Sequence, residues 1–283
     1  MKIYARARYY NRQMAEVVLI TGASSGIGAA AAKRLAERGV RVFGTSRRAQ
    51  PARGGIEWIA MDVCNDGSVR DGVAKVIELG GNIDALVCNA GYGIFGSVEE
   101  VSLDEARAQF ETNVFGVLRC VRAVLPGMRE RGRGRIVVVG SLAGRAPIPF
   151  QAQYSATKAA VDALSQALSM ECEPCGIRVS LVEPGDIETA FNDGVDWSGV
   201  EGSAYGEPIR QCAKVAKDSL AAAPPPDVVA RVIEEALTAT NPRFRYSVGP
   251  DSWNVPLARR FLPERLFHRL IARRFLKSMM NRD

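Results

Sequence analysis

V-V-L-I-T-G-A-S-S-G-I-G, from Val17 to Gly28, is the stretch that decides the fold. Val17–Ile20 is a short apolar run of strand character. The residues that follow, as far as Arg38, are rich in alanine and read as a helix, which Gly39 ends as glycine does at C′. Between the two, Gly22, Gly26 and Gly28 are spaced G-x-x-x-G-x-G, with Ser24, Ser25 and Ile27 among them. Glycine at these places allows a tight turn and lets the backbone approach a pyrophosphate, which then meets the helix N-terminus and its dipole. The strand before and the helix after are the context that gives the motif its meaning.

Outward from this turn, strand and helix patterns alternate almost without a break. Arg41–Thr45 and Glu57–Val63 read as the next strands, with a polar helix over Asp66–Leu79. Ala85–Cys88 is a strand broken by Asn89-Ala90-Gly91, and a long helix is expected from Asp104 to Val124, ahead of Pro126-Gly127. Ile136–Val139 is a valine-rich run of the kind buried on both faces. Gln151–Glu171 reads as a helix, Val179–Val182 as a strand closed by Glu183-Pro184-Gly185, Asp227–Thr240 as a helix N-capped by Asp227, and Phe244–Val248 as an edge strand. Such alternation predicts an α/β protein, a doubly wound parallel sheet between two helical layers, in one domain over residues 15–250. Ligands in that architecture bind at the C-terminal ends of the strands. Gly22–Gly28, Ser46-Arg47, Asp62, Asn89–Gly91, Ser141 and Pro184-Gly185 all fall there.

About 20 residues beyond the glycines, a site for NAD carries an acid that binds the ribose 2′-OH. Here the stretch is G-T-S-R-R, with Ser46 in the acid's place and Arg47 and Arg48 next. An arginine fork suits a 2′-phosphate, and the missing acid removes a repulsion, so NADP (as NADPH) is expected. The alternative is that both arginines belong to a solvated loop.

Tyr154 and Lys158 sit four residues apart, thirteen residues after Ser141. On a helix, positions i and i+4 share a face. A neighbouring ammonium favours the phenolate and is expected to pull the phenol down from its ordinary pKa of about 10 toward the working range. Ser141, at a strand end, is placed to stabilise charge developing on a substrate oxygen.

With these residues in place the chain resembles the short-chain dehydrogenase/reductases, in their compact single-domain branch. T-G-A-S-S-G-I-G, C-N-A-G at 88–91, Asn113, Ser141, Y-S-A-T-K at 154–158 and P-G at 184–185 stand in family order. V-C-N-A-G-Y-G-I-F-G and V-S-L-V-E-P-G-D-I-E-T-A-F are more narrowly similar to the 17β-hydroxysteroid dehydrogenase and retinol dehydrogenase group. The resemblance implies a Rossmann fold. It implies an oxidoreductase in which Tyr154 is the general acid for carbonyl reduction, Lys158 lowers its pKa and bonds the nicotinamide ribose, and Asn113 bends its helix and holds a relay water. It further implies that Asp62 and Val63 meet the adenine, that Thr189 contacts the carboxamide, and that homodimers or homotetramers form through the helices at 104–124 and 151–171. Cys88 stands where the family often has Asn. No His lies between 186 and 226, and the pocket candidates are apolar or aromatic: Tyr92, Phe95, Leu142, Phe150 and Phe191. A bulky, largely apolar ketone or aldehyde, steroid-, retinoid- or polyketide-like, fits that lining. The competing reading is a non-catalytic NADP-binding sensor on the same fold.

Composition sets the outer bounds. With 47% hydrophobic and 24% charged residues the chain is an ordinary globular protein. The net charge of +6 lies on the ends. Residues 256–283 carry eight Lys/Arg and two acids, the basic extension 1–14 carries four Lys/Arg and no acid, and the body between is −4. A nucleic-acid enzyme would carry its basic patch on the body, so nucleic acid is not an expected partner. No apolar run nears the roughly 18 residues of a membrane span, the N-terminus lacks an apolar h-region, and a cytoplasmic protein is expected. Cys172 and Cys175 have C-x-x-C spacing, read either as a redox or half-zinc pair or, preferably, as a helix end and turn; no metal is expected. Residues 186–226 are rich in Gly, Ser, Asp and Ala and are expected to be a lid. In the tail, 251–283, Leu266, Phe267, Leu270, Ile271 and Phe275 oppose Arg265, Arg269 and Arg273 on a helical wheel. That helix either covers the substrate entrance or a partner subunit, the reading preferred here, or lies on an anionic membrane as a peripheral contact.

Overall fold

The computed structural model describes residues 16–52, 54–189 and 195–276. The N-terminal extension and Phe191 lie outside them. Seven parallel strands form one sheet in the order β3-β2-β1-β4-β5-β6-β7. They are β1 (Val17–Ile20), β2 (Arg41–Ser46), β3 (Ile56–Ala60), β4 (Ala85–Cys88), β5 (Gly134–Val139), β6 (Ile177–Pro184) and β7 (Arg245–Val248). The order reverses between β1 and β4, so a crevice opens at their C-terminal ends, as it does in every sheet wound outward from its centre.

Alternate residues of the central strands feed two cores. Val17, Leu19, Leu86, Cys88, Ile136 and Val138 enter the core under α2 (Asp66–Gly80), α4 (Gly116–Arg131) and α5 (Ala152–Cys172). Val18, Ile20, Ala85, Val87, Val137 and Val139 enter the other, under α1 (Gly26–Glu37) and α7 (Asp227–Thr238). The expected three-layer, doubly wound architecture is therefore what forms.

Several boundaries differ from the sequence reading. β3 ends at Ala60, so Asp62 and Val63 lie in the following loop. The long helix begins with α3 (Leu103–Phe110), held by a capping box between Ser102 and Glu105, and then widens into a π turn over Glu111–Phe115 before α4. Pro126 does not end it. Pro126 is exposed, so the carbonyl it leaves unpaired faces water, while buried Val121, Val124 and Met128 carry the helix through. α7 is capped by Pro226, and Asp227 is its first residue, paired with Arg231 at 3.5 Å. Within 186–226 the chain builds α6 (Glu207–Ala221), and the tail forms α8 (Asn254–Phe261) and α9 (Glu264–Phe275). No described helix is long and apolar enough to cross a membrane.

Candidate active site

The glycine turn is built against the end of β4. Gly22 has φ +65, and a Cβ there would stand 2.9 Å from the Cα of Ala90. A Cβ on Gly28 would come within 2.4 Å of the Gly22 carbonyl and 2.5 Å of Asn89 Nδ2. Asn89 Nδ2 donates to the carbonyls of Thr21 (3.0 Å) and Gly22 (3.1 Å), and Thr21 Oγ1 accepts from the N–H groups of Asn89 (2.9 Å) and Ala90 (3.1 Å). Asn89 and Ala90 therefore hold the turn in shape. Ser25 caps α1 without a side-chain hydrogen bond and the first turn contains no acid, which leaves its amides to an anion. Thr189, expected near a carboxamide, lies beside this mouth: a Cβ on Gly26 would meet its Cβ at 3.3 Å.

At the end of β2, the Ser46 hydroxyl turns back to the Arg48 carbonyl and accepts from Gln50 Nε2 at 3.3 Å. Arg47 and Arg48 are exposed and form no ion pair among the described residues. This combination of a glycine cradle, open helix amides and two unspent guanidinium groups fits a dinucleotide carrying an extra phosphate. Asp62 and Val63, expected at the adenine, stand in the loop after β3. Val63 is buried and packs on Gly116, where a Cβ would lie 2.9 Å away, and the Asp62 carboxylate accepts from the Cys64 N–H at 3.0 Å. Both shape their own loop.

α5 rises from the crevice with Tyr154 and Lys158 on its inner face. Ser141 Oγ accepts from the Ala143 N–H at 3.1 Å, so its own proton is free to be donated, and the oxygen it reaches is that of Tyr154. Burial pushes the Tyr154 phenol up to about 12, with the Ser141 bond lowering it and the Asp186 charge adding to the rise. Burial pulls Lys158 down to about 8. The expected lowering of the phenol is thus reversed. Lys158 Nζ donates to the Val139 carbonyl at 3.0 Å and lies 5.7 Å from the centre of the Tyr154 ring, and desolvation outweighs its charge. A phenol near 12 carries its proton at neutral pH, and it is in the state that donates.

Asn113 is buried in the π turn. Its Oδ1 accepts from the Tyr92 N–H (3.0 Å), and its Nδ2 donates to the Tyr92 carbonyl (2.9 Å) and to Thr157 Oγ1 (3.1 Å). Gly91 lies directly against the same amide. Thr157 Oγ1 in turn donates to the Tyr154 carbonyl at 2.7 Å. The side chain clamps the loop after β4 to the first turn of α5 and has no N–H left for a relay water. Sequence reasoning passed over Thr157, Thr21 and Gln109, whose Nε2 also donates to the Tyr92 carbonyl (3.2 Å). The available signal was spacing: Gln109 precedes Asn113 by one helical turn, and Thr157 adjoins Lys158.

α6 and α9 form a roof over the cluster that holds Phe95. Phe95 is wholly buried, stacked on Trp197 at 4.8 Å and 6.3 Å from Phe150. It supports the roof and does not line an open surface as expected. Phe150 is held at φ +61, which turns its ring toward Tyr205 at 5.6 Å. Leu142 is buried between Ser141 and Gly185, and the Gly185 N–H is fixed to the Val248 carbonyl at 2.8 Å beyond Pro184. Ile209, Cys212 and Ala213 of α6 share a cluster with Phe95, Val195 and Phe275 of α9. Arg274 ties α9 to Asp251 and, at 3.5 Å, to Asp186, two residues past Pro184. The stretch before α6 is tied to the body by Glu100, which accepts from Ser203 Oγ (2.6 Å) and the Ala204 N–H (2.7 Å). All six cysteines, Cys172 and Cys175 included, are free, and no cluster among the described residues could hold a metal ion.

The short chain dehydrogenase family model matches residues 16–197. The 3-ketodihydrosphingosine reductase of Bacteroides thetaiotaomicron is 39% identical over 237 residues, 83% of this chain and 88% of the relative. The 17-beta-hydroxysteroid dehydrogenase type 1 of Homo sapiens is 35% identical over 255 residues, 81% of this chain and 76% of the relative. A solved short-chain dehydrogenase from Streptomyces avermitilis superposes with a TM-score of 0.74 at 33% identity, over 95% of this chain and 98% of that one.

Proposed function

The chain belongs to the short-chain dehydrogenase/reductases, an oxidoreductase family, and on that premise we propose that it reduces the ketone or aldehyde of a bulky, largely apolar substrate with NADPH. The observation that carries the reading is the phenol of Tyr154 bonded to Ser141, with Lys158 on the same helix face, beside the glycine turn. Bound in that turn, the cofactor supplies the hydride and is oxidised. Tyr154 gives its proton to the carbonyl oxygen as the alkoxide develops. Ser141 turns its O–H to the same oxygen and stabilises that charge. Lys158 supplies positive charge beneath the phenol and would hold the nicotinamide ribose; Asn113 and Thr157 keep the first turn of α5 in register with the β4 loop. Tyr92, Leu142 and Phe150 offer the substrate hydrocarbon contacts; Phe191, outside the described residues, joins them on the sequence reading alone. The names of the two curated relatives describe a ketone or hydroxyl on a largely hydrocarbon skeleton, which suits the same lining. Incubation with NADPH and a panel of apolar ketones, long-chain and steroidal, tests the reading: NADPH loss with alcohol formation is expected.

NADPH over NADH rests on Arg47 and Arg48. Arg47→Ala is expected to weaken NADPH binding by at least about tenfold, the loss of a charge-assisted contact, and to leave NADH binding nearly unchanged. Fluorescence titration with both cofactors measures this. Equal losses for the two would remove Arg47 as the reader of the 2′-phosphate.

The pH dependence follows from the two shifted groups. Tyr154, near 12, stays protonated across the neutral range, whereas Lys158, near 8, is an ammonium below that pH and neutral above it. The kcat/KM for reduction is expected to be level below about 8 and to fall roughly tenfold per unit above it. A profile level to pH 10 would show that the Lys158 charge is not required.

The same reading includes a homo-oligomer, since Phe115 beside α4 and Met170 on α5 are exposed apolar residues on the helices where one is expected. It also places the enzyme in the cytoplasm, in keeping with six free cysteines.

A further inference from the structure

Of the two tail helices, only α9 completes its packing on the body. It buries Phe267 and Phe275, and Ile271 joins the cluster beneath it, so most of the apolar side read from its helical wheel is spent indoors. α8 buries none of its residues. Trp253, Leu257 and Phe261 follow one another at four-residue spacing on one face. They are 86%, 60% and 68% exposed. On α9, Leu266 and Leu270 are exposed as well, again four apart.

The unpaired charge beside this face is positive. The Arg260 guanidinium lies 5.5 Å from the centre of the Phe261 ring. Arg265, Arg269 and Arg273 are exposed on α9, interleaved with Leu266 and Leu270, and form no ion pair among the described residues. The pairs that do form belong to their neighbours: Arg259 meets Glu264 at 3.6 Å, and Arg274 meets Asp186 and Asp251. An exposed stripe of tryptophan, leucine and phenylalanine beside free arginines is the composition that settles at a lipid headgroup boundary.

We propose that the α8–α9 surface docks the protein onto an anionic lipid bilayer, with Trp253, Leu257 and Phe261 at the headgroup–acyl boundary and Arg265, Arg269 and Arg273 on lipid phosphates. A second copy of the chain fits the surface poorly. Across a two-fold axis the patch meets itself, which sets the arginines of one copy against those of the other; a head-to-tail contact does not close. Docking also sets the α6–α9 roof, and the aromatic residues under it, next to the phase in which an apolar substrate dissolves.

The test is co-sedimentation of the full chain at low salt with phosphatidylcholine vesicles, plain or containing phosphatidylglycerol. The chain is expected to pellet with the anionic vesicles only and to be released by salt. Combined Arg265→Gln, Arg269→Gln and Arg273→Gln should weaken binding about fivefold per arginine, on the order of a hundredfold together. Combined Trp253→Ser, Leu257→Ser and Phe261→Ser should weaken it at least about tenfold, with an unchanged thermal unfolding curve. Brominated lipid should quench the wild-type emission and quench a Trp253→Phe variant much less. Wild-type protein left in the supernatant with anionic vesicles overturns the proposal, as do two variants that pellet like wild type. So does a light-scattering mass, in protein alone, that falls to the monomer with the serine variant while lipid binding is unaffected; the face would then belong to a second copy.

Discussion

Tyr154→Phe is expected to bind NADPH within a few-fold of wild type and to turn over at least about a hundred times more slowly, the loss typical of a missing general acid. In free energy this is about 2.7 kcal/mol of transition-state stabilisation. The ring can stay where it is, since what changes is one hydroxyl bonded to Ser141, while the glycine turn, Arg47 and Lys158 are untouched. A fluorescence titration with NADPH and a steady-state assay on the same preparation separate binding from chemistry. Turnover near the wild-type rate would remove Tyr154 from the mechanism. Loss of NADPH binding in parallel with turnover would make its role one of cofactor placement.

The second large effect is expected at Gly28. An alanine there puts a Cβ 2.4 Å from the Gly22 carbonyl and 2.5 Å from Asn89 Nδ2. Neither neighbour is the end of a flexible chain, because the Asn89 amide is tied to two carbonyls of the same turn. Overpacking of this kind costs about 1–3 kcal/mol. The turn must open to relieve it, which moves the first amides of α1 off the pyrophosphate. Gly28→Ala is therefore expected to lower the melting temperature by several degrees and to weaken NADPH binding by at least about tenfold. Thermal unfolding with and without NADPH measures both effects. A variant that is stabilised by NADPH as well as wild type would mean that the turn does not carry the phosphates.

The parts of the fold legible in sequence were those whose residues answer to one rule. Val17–Ile20, Ala85–Cys88 and Ile136–Val139 are apolar throughout because both of their faces are covered, and the glycines mark the turn between β1 and α1. Tyr154, Lys158 and Ser141 were legible because their spacing has a chemical reason. Pro126 misled: a local helix breaker was overridden by the burial of Val121, Val124 and Met128. α6 was hidden because its buried face is Ile209, Cys212 and Ala213, with one large apolar residue and so no stripe, although Pro208 in its first turn was a start signal. The phenol's pKa could not be read from spacing at all. Spacing placed the ammonium near Tyr154, but the burial of both groups and the Val139 carbonyl, which takes the ammonium at 3.0 Å, decide the direction. That Val63 packs on Gly116 and Phe95 on Trp197 could not be read from sequence, because it depends on what lies opposite them across the chain.

The central claim is that the chain transfers hydride to a carbonyl carbon while Tyr154 protonates its oxygen. It is tested most directly with NADPH deuterated at the transferring position of the nicotinamide, an apolar ketone, and mass spectrometry of the product. The account predicts an alcohol carrying deuterium on the carbinol carbon in proportion to NADPH consumed, and almost none from Tyr154→Phe under the same conditions. Bound but unconsumed NADPH, with no deuterated alcohol from any ketone or aldehyde of the panel, would contradict it and leave a cofactor-binding protein without a reaction.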